Sequence, residues 1–169
     1  EFEENSSDWL WEFDRNGRFQ RVSDRFSVVS GIAKEQLVGL DFHDFLRSME
    51  KENDPILGEL RQDVDLHKTF SGVELQVFVD GSERFWRLTG KPTFDECGAY
   101  AGYIGTASDV TAEKHAERRI NFLAHNDTLT GLLNRAKFTE HLKQSVTRLE
   151  RYGSSFAVLY LDLDQFKAV

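Results

Sequence analysis

Two carboxylates directly follow the most apolar stretch near the end of the chain. Residues 156–161 read F-A-V-L-Y-L, and Asp162 and Asp164 come immediately after them. A near-continuous apolar run of this length is typical of a strand that is buried on both faces. A carboxylate held at the end of such a strand can supply the hard oxygen ligand that Mg²⁺ prefers. Taken alone, such carboxylates are also often structural or surface groups, so the elements that precede them decide the interpretation.

A second motif lies about thirty residues earlier in the chain, where residues 127–135 read D-T-L-T-G-L-L-N-R. Gly131 interrupts the helical pattern, and an amphipathic helix is predicted over residues 137–152, ended by Gly153. Its apolar stripe consists of Phe138, Leu142, Val146 and Leu149. The motif, the helix, the apolar strand and the paired carboxylates together resemble the beginning of a GGDEF domain, the catalytic domain of diguanylate cyclases.

The resemblance implies a chemistry and the residues that carry it. Two GTP molecules are joined when a 3′-hydroxyl attacks an α-phosphate, and Mg²⁺ neutralises charge on the phosphates. The resemblance implies that Asp162 and the backbone carbonyl of Leu163 bind the metal, and that Lys167 lies near the nucleotide phosphates. No catalytic role is assigned to Asp164. Mg²⁺ and GTP are therefore expected for the complete domain.

The chain stops before the guanine-contacting residue and the GGDEF hairpin of that family. We therefore expect this excerpt of a longer protein to form only the first part of an α/β domain and to show no cyclase activity. We also expect the strand at residues 156–161 to be disordered, mispaired with another chain, or completed by residues outside the excerpt.

The first two thirds of the chain have a different pattern, in which short alternating strands surround a helical stretch. Helical pieces are expected within residues 24–40, a turn at residues 41–46, and a longer helix over residues 50–66 that has Pro55 in its first turn. The residues of that helix expected to be buried are Ile56, Leu57, Leu60 and Val64. Five strands are predicted, at residues 9–13, 18–23, 73–79, 84–94 and 100–107. They predict an α+β fold, an antiparallel sheet covered by helices on one face.

Three segments of this region resemble a PAS sensory domain. They are W-L-W-E-F-D-R-N-G-R-F, G-L-D-F-H-D-F-L, and the long stretch from Phe85 to Thr111 that ends in S-D-V-T. The last segment matches the closing strands of the family and its Asp-x-Thr exit motif at Asp109 and Thr111. The resemblance implies that Asp109 ties the outgoing helix to the sheet, so that a change in the sheet can rotate or tilt that helix.

A helix is predicted to leave this domain at Thr111, which can act as its N-cap, and Glu113 is favoured by the helix dipole. Ala116, Ile120 and Leu123 form a thin apolar seam that fits either a second copy of the helix or the helix's own domain. A helix of this length is marginal alone, so packing must hold it. The predicted organisation is a PAS domain at 5–110, a signalling helix at 111–126 and a GGDEF fragment at 127–169.

Aromatic residues predict a pocket inside the PAS domain, although aromatics at strand alternation usually form only a core. A flavin adduct is disfavoured because Cys97 falls in a turn between strands. Haem is disfavoured because His43 and His67 fit surface or hydrogen-bonded roles. The ligand thus stays unknown, with a small apolar or aromatic molecule as the candidate. The residues predicted to line the pocket are Trp9, Trp11, Phe42, Phe45, Trp86 and Tyr103.

Composition excludes several classes of function. The formal net charge of −8 gives no basic footprint for nucleic acid. The single cysteine fits a reducing compartment, and no run of 18 apolar residues is present to span a membrane. We expect a cytoplasmic protein, or the cytoplasmic part of a membrane-anchored one, that forms a homodimer through the PAS domain, the linker helix or both.

Two other interpretations are open. The sequence F-L-A-H at residues 122–125 superficially resembles the phosphoacceptor helix of a sensor histidine kinase. The residues after His125 do not continue that pattern, which makes this alternative the weaker one. The chain could also be a dimerisation and ligand-binding module attached to a degenerate GGDEF domain. A phosphodiesterase domain can follow in either case.

Overall fold

The computed structural model describes residues 8–49, 55–79, 81–153 and 155–161. The chain divides into two compact units, Glu1–Ala116 and Glu117–Val169, and each unit is described separately below.

The first unit is built on a five-stranded antiparallel sheet, as predicted. Its strands are β1 (Asp8–Asp14), β2 (Phe19–Val22), β3 (Phe70–Val79), β4 (Ser82–Phe94) and β5 (Tyr100–Asp109). Their order in the sheet is β2-β1-β5-β4-β3. Between β2 and β3 lie α1 (Asp24–Ser30), a 3₁₀ turn (Lys34–Gln36), α2 (Phe42–Met49) and α3 (Pro55–Asp65). The chain leaves the sheet through α4 (Thr111–His125), and the second unit contains α5 (Arg135–Tyr152).

The strands form where apolar and polar residues alternate. In β1, Trp9, Trp11 and Phe13 are buried while Leu10 is 43% exposed, so one face of the strand packs into the core. The β1–β2 hairpin turns through Gly17, whose φ of 77° is in the left-handed region that glycine adopts without strain. The core is the space between this face of the sheet and the apolar sides of α1, α2 and α3.

Two details of the helical layer differ from the sequence prediction. Residues 42–49 form the helix α2 instead of a turn, because the Asp41 carboxylate accepts hydrogen bonds from the amides of His43 and Asp44 and so caps it. In α3, Leu57, Leu60 and Val64 are buried as predicted, but Ile56 is 43% exposed. The buried residues are spaced for one helix face, and Ile56 lies beside that face.

In the second unit, a turn follows the end of α4 and leads into the helix α5. The Asn134 side chain accepts a hydrogen bond from the Lys137 amide and caps α5, which ends at Gly153 with φ 66°. The strand predicted at residues 156–161 does not form, and these residues are exposed, with Tyr160 at 93%. A strand needs a hydrogen-bonded neighbour, and all strands of the described residues belong to the sheet of the first unit.

In the described residues, no helix combines the length and apolar character that a membrane span requires.

Candidate functional site

The start of α4 is fastened to the sheet through Asp109, the last residue of β5. One carboxylate oxygen, Oδ1, accepts a hydrogen bond of 2.9 Å from the Thr111 amide. The other, Oδ2, lies 3.3 Å from Nη1 of Arg84 on β4. Because the Asp109 side chain is only 15% exposed, this ion pair is less screened by water than a surface pair.

Phe85 on β4 bonds the same junction through both of its backbone groups. Its N–H donates to the Thr111 hydroxyl at 2.9 Å, and its carbonyl accepts from the Val110 amide at 2.8 Å. The sequence prediction that the Thr111 hydroxyl caps its own helix is therefore wrong. Thr111 is the first helical residue, and its hydroxyl is already engaged by the neighbouring strand.

Arg84 connects this junction to the helical layer, and sequence reasoning did not identify it. Its Nη1 also donates a hydrogen bond of 2.8 Å to the carbonyl of Val29, near the end of α1. Arg84 and Val29 are 55 positions apart, so no local sequence pattern predicts this contact. A single guanidinium therefore touches both the helix that covers the core and the carboxylate that holds α4.

A second group of charges holds the first turn of α4 against the outer part of the sheet. The Glu74 carboxylate on β3 binds Lys114 at 2.6 Å and Arg87 at 2.8 Å, and Arg87 also reaches Glu113 at 3.3 Å. The hydrogen bond from Lys114, followed by that from Arg87, holds the pKa of Glu74 below its usual value of 4.5.

The Glu74 cluster predicts a pH dependence of the helix anchor. Because the folded-state pKa of Glu74 is lowered, its contribution to stability is present above pH 4.5 and is lost as the pH falls through the lowered value. We expect Glu74→Gln to lower the urea midpoint at pH 7 and to match the unmodified protein once both are acidified well below pH 4.5. Glu59→Gln, at an exposed position of α3, is the matched control. A Glu74→Gln difference that persists unchanged in acid would contradict this.

Beyond its first turn, α4 presents apolar side chains to solvent. None of its residues is buried, and Ile120 and Leu123 of the predicted seam are 68% and 44% exposed. At the end of the helix, Nδ1 of His125 lies 2.9 Å from the Asn121 carbonyl.

Inside the first unit, aromatic side chains surround a narrow cavity of ≈ 20 Å³. Five of the six predicted pocket residues line it, and Tyr103 does not. The Tyr103 hydroxyl instead donates to the Lys68 carbonyl at 2.9 Å, and burial raises the pKa of this tyrosine to about 12. The cavity is lined by Trp9, Trp11, Phe19, Phe26, Leu37, Phe42, Phe45, Trp86, Leu88 and Ala107.

The candidate cofactor ligands Cys97, His43 and His67 lie outside the lining of the aromatic cavity. Cys97 is exposed in the turn between β4 and β5. His43 lies in α2, with Nε2 3.3 Å from Asp65. His67 follows α3 and stacks on Tyr100 with ring centroids 3.7 Å apart. Within the described ranges, none of these three residues lines the aromatic cavity.

In the second unit, the residues of the D-T-L-T-G-L-L-N-R motif hold a turn together. Oδ1 of Asp127 accepts hydrogen bonds from the Thr130 hydroxyl and from the Thr130 and Leu129 amides, which lowers the pKa of Asp127. Asn134 caps α5 and donates to the Ala124 carbonyl. The predicted metal ligands Asp162 and Leu163, the phosphate contact Lys167, and Asp164 lie outside the described residues.

The first unit is an antiparallel sheet covered by a helical layer, and the helix that leaves it is bonded to its central strands. This arrangement defines an α+β sensory domain. The chain belongs to the PAS family: the model described as "PAS fold" matches residues 4–115. A second model, described as "Diguanylate cyclase, GGDEF domain", matches residues 124–169. The chain is thus a PAS sensor followed by part of a GGDEF domain, which confirms the sequence-based recognition of both.

Two curated relatives match most of this chain. An uncharacterized signaling protein of Caulobacter vibrioides is 30% identical over 90% of this chain and 18% of its own length. The probable diguanylate cyclase DgcE of Escherichia coli is 26% identical over 83% of this chain and 13% of its own length. The chain therefore spans less than a fifth of the length of these relatives.

A solved structure supports the fold assignment. The crystal structure of the N-terminal domain of a diguanylate cyclase with PAS/PAC sensor from Marinobacter aquaeolei matches with a TM-score of 0.53 at 15% identity. The match covers 64% of this chain and 99% of that domain.

Proposed function

We propose that this chain is the sensory and coupling region of a protein that converts two GTP molecules into cyclic di-GMP, and that the PAS domain controls this reaction through α4. The observation that carries the proposal is the bonding of the start of α4 to β4 through Phe85, Thr111 and Asp109. Any displacement of β4 must then change the direction or the stability of the helix.

The proposed transmission begins in the aromatic cavity. Trp86 lines the cavity, lies next to Phe85 in β4 and pairs in register with Asp109. Phe26 lines the cavity from α1, whose Val29 carbonyl is held by Arg84. A molecule that enters the cavity therefore acts on two elements that contact the helix anchor. Only different affinities for the two helix arrangements can drive such a switch.

For the second unit we propose residue roles from the resemblance to the GGDEF family. We propose that Asp162 and the Leu163 carbonyl hold Mg²⁺ and that Lys167 contacts GTP phosphates in the complete GGDEF domain. Bound Mg²⁺ would neutralise phosphate charge during the transfer. The structure describes how Asp127 and Asn134 shape the turn that enters this domain.

We further propose that two copies pair along α4. The exposed Ile120 and Leu123 support this, because a short helix with solvent-exposed apolar residues gains stability from a partner. A dimer would bring two GTP-loaded domains face to face. The proposed boundaries are the PAS domain at 5–110, the helix at 111–126 and the GGDEF fragment at 127–169, located in the cytoplasm where GTP is available.

Changing the length of α4 tests the proposal in the full protein. Each inserted residue rotates the following helix by about 100°, and seven residues restore the phase after about two turns. We expect one alanine inserted between Arg118 and Arg119 to change the rate of cyclic di-GMP synthesis from GTP at least severalfold. A seven-residue helical insertion is the matched control and should retain most of the original rate.

Equal rates for both insertions would contradict coupling through a continuous helix. Absence of cyclic di-GMP synthesis by the unmodified full protein would instead favour the second candidate, a PAS module with a degenerate GGDEF domain.

A further inference from the structure

Two tryptophans that line the aromatic cavity carry indole hydrogen-bond donors without an acceptor in the described part of the chain. Trp11 and Trp86 are 4% and 3% exposed, and both line the cavity. Their indole Nε1 atoms are buried without a partner in the described part of the chain. Buried N–H groups in native proteins are nearly always paired, since the loss of hydration is otherwise uncompensated. Two such groups at one cavity therefore point to an occupant that supplies acceptors.

The remaining lining restricts the chemistry of that occupant. Beside the tryptophans, the cavity wall is formed only by phenylalanine, leucine and alanine side chains in the described residues. Such a wall offers neither a charge nor a side-chain acceptor. An ionic molecule would lose its hydration there without gaining a counter-charge, and a donor group would find no side-chain partner. A neutral apolar or aromatic body that carries oxygen acceptors fits both restrictions.

The size of the cavity adds a condition. At ≈ 20 Å³ it has room for about one water molecule, so anything larger requires the wall to move. The wall on the helical side consists of short elements, α1 with seven residues and α2 with eight. Isolated helices of this length are unstable, so these elements can shift more easily than the central strands. Phe26, Phe42 and Phe45 are the cavity residues that would move with them.

We propose that the PAS cavity recognises a small, neutral, apolar or aromatic molecule through one or two carbonyl or ether oxygens that accept hydrogen bonds from the indoles of Trp11 and Trp86. This inference rests on the proposed sensory function and names the class of molecule that the domain senses. Entry of the molecule displaces α1, whose Val29 carbonyl is bonded to Arg84, and so reaches the anchor of α4.

The test compares two probes of nearly equal size on the unmodified protein, labelled with ¹⁵N at its 3 tryptophans. Acetophenone carries a carbonyl oxygen, and ethylbenzene does not. We expect acetophenone to shift the indole N–H proton signals of Trp11 or Trp86 downfield in a saturable manner. Ethylbenzene should bind about fivefold to tenfold more weakly, since it lacks the hydrogen bond.

Three matched variants assign the signals and test the donors. Trp11→Phe and Trp86→Phe each remove an indole N–H, and each should reduce the preference for acetophenone over ethylbenzene. Trp9→Phe is the control, since Trp9 lines the same cavity but its indole nitrogen is not a buried donor without a partner. It removes a ring of the same size and should leave the preference unchanged.

Two outcomes would overturn the proposal. One is equal binding of the two probes, or no binding of either at millimolar concentration. The other is that both indole protons contact a long-lived water and their signals do not shift when acetophenone is added. Water would then be their acceptor. Either result concerns only the ligand class. The helix-insertion experiment can still succeed in that case, so failure of the ligand class is distinguishable from failure of the coupling function.

Discussion

Replacing Gly105 with alanine is expected to destabilise the PAS domain by about 3 kcal/mol, at the upper end of the usual cost of overpacking. A Cβ at this position would lie 2.2 Å from the Thr89 carbonyl oxygen and 2.2 Å from Cζ2 of Trp11. Neither the carbonyl nor the indole can move away easily, because the carbonyl belongs to the neighbouring strand β4 and the indole is packed in the core. The alanine must therefore push β4 and β5 apart.

The measurement is a urea unfolding curve followed by tryptophan fluorescence. Gly58→Ala is the matched control, because Gly58 lies in α3 and no atom beyond its chain neighbours and the backbone of its own helix lies within 4 Å of the added Cβ. Alanine is the better helix former, so this variant should gain about 0.5–1 kcal/mol. Similar unfolding midpoints for the two variants would show that close approach of Trp11 to Gly105 does not constrain the fold.

The strands and their turns were predictable from the sequence because alternation and glycine placement are local signals. Trp9, Trp11 and Phe13 alternate with less buried residues, and Gly153 ends α5 as predicted. The helix α2 was missed although Phe42, Phe45 and Leu46 carry a helical spacing. A helix of only eight residues that begins shortly after Gly39 resembles a turn in the sequence, and the capping contacts of Asp41 show that it is a helix.

The candidate site was less predictable because its contacts join distant parts of the chain. Asp109 was identified by resemblance, but its partner Arg84 is 25 positions away and the Val29 carbonyl 55 positions from Arg84. The role of Thr111 was misjudged because its hydroxyl has two possible donors, and the strand amide of Phe85 is the one that it meets. Residues 156–161 form no strand in the described part of the chain, in keeping with the expectation that this apolar run lacks a neighbouring strand of its own.

The largest effect on coupling is expected from Asp109→Ala. The substitution removes the acceptor of the Thr111 amide and leaves the Arg84 guanidinium, which is 34% exposed, without this carboxylate. Loss of a charged acceptor at a partly buried position costs about 1.4 kcal/mol or more, equivalent to a tenfold change in a local opening equilibrium. We therefore expect the Lys114 amide, which donates to the Val110 carbonyl in the first turn of α4, to exchange with solvent at least tenfold faster.

Asp95→Ala separates this effect from a general loss of stability. Asp95 also accepts two backbone hydrogen bonds, from the amides of Cys97 and Ala99, but it lies in the turn that precedes β5. It should leave exchange of the Lys114 amide unchanged. In the full protein, Asp109→Ala and Thr111→Ala should abolish stimulus-dependent change in cyclic di-GMP synthesis and preserve the basal rate, whereas Asp95→Ala should preserve both. If both junction variants remain regulated, the side chains of Asp109 and Thr111 do not transmit the signal. The Phe85–Val110 backbone bond and the Glu74 cluster would then be the remaining connections between the sheet and α4.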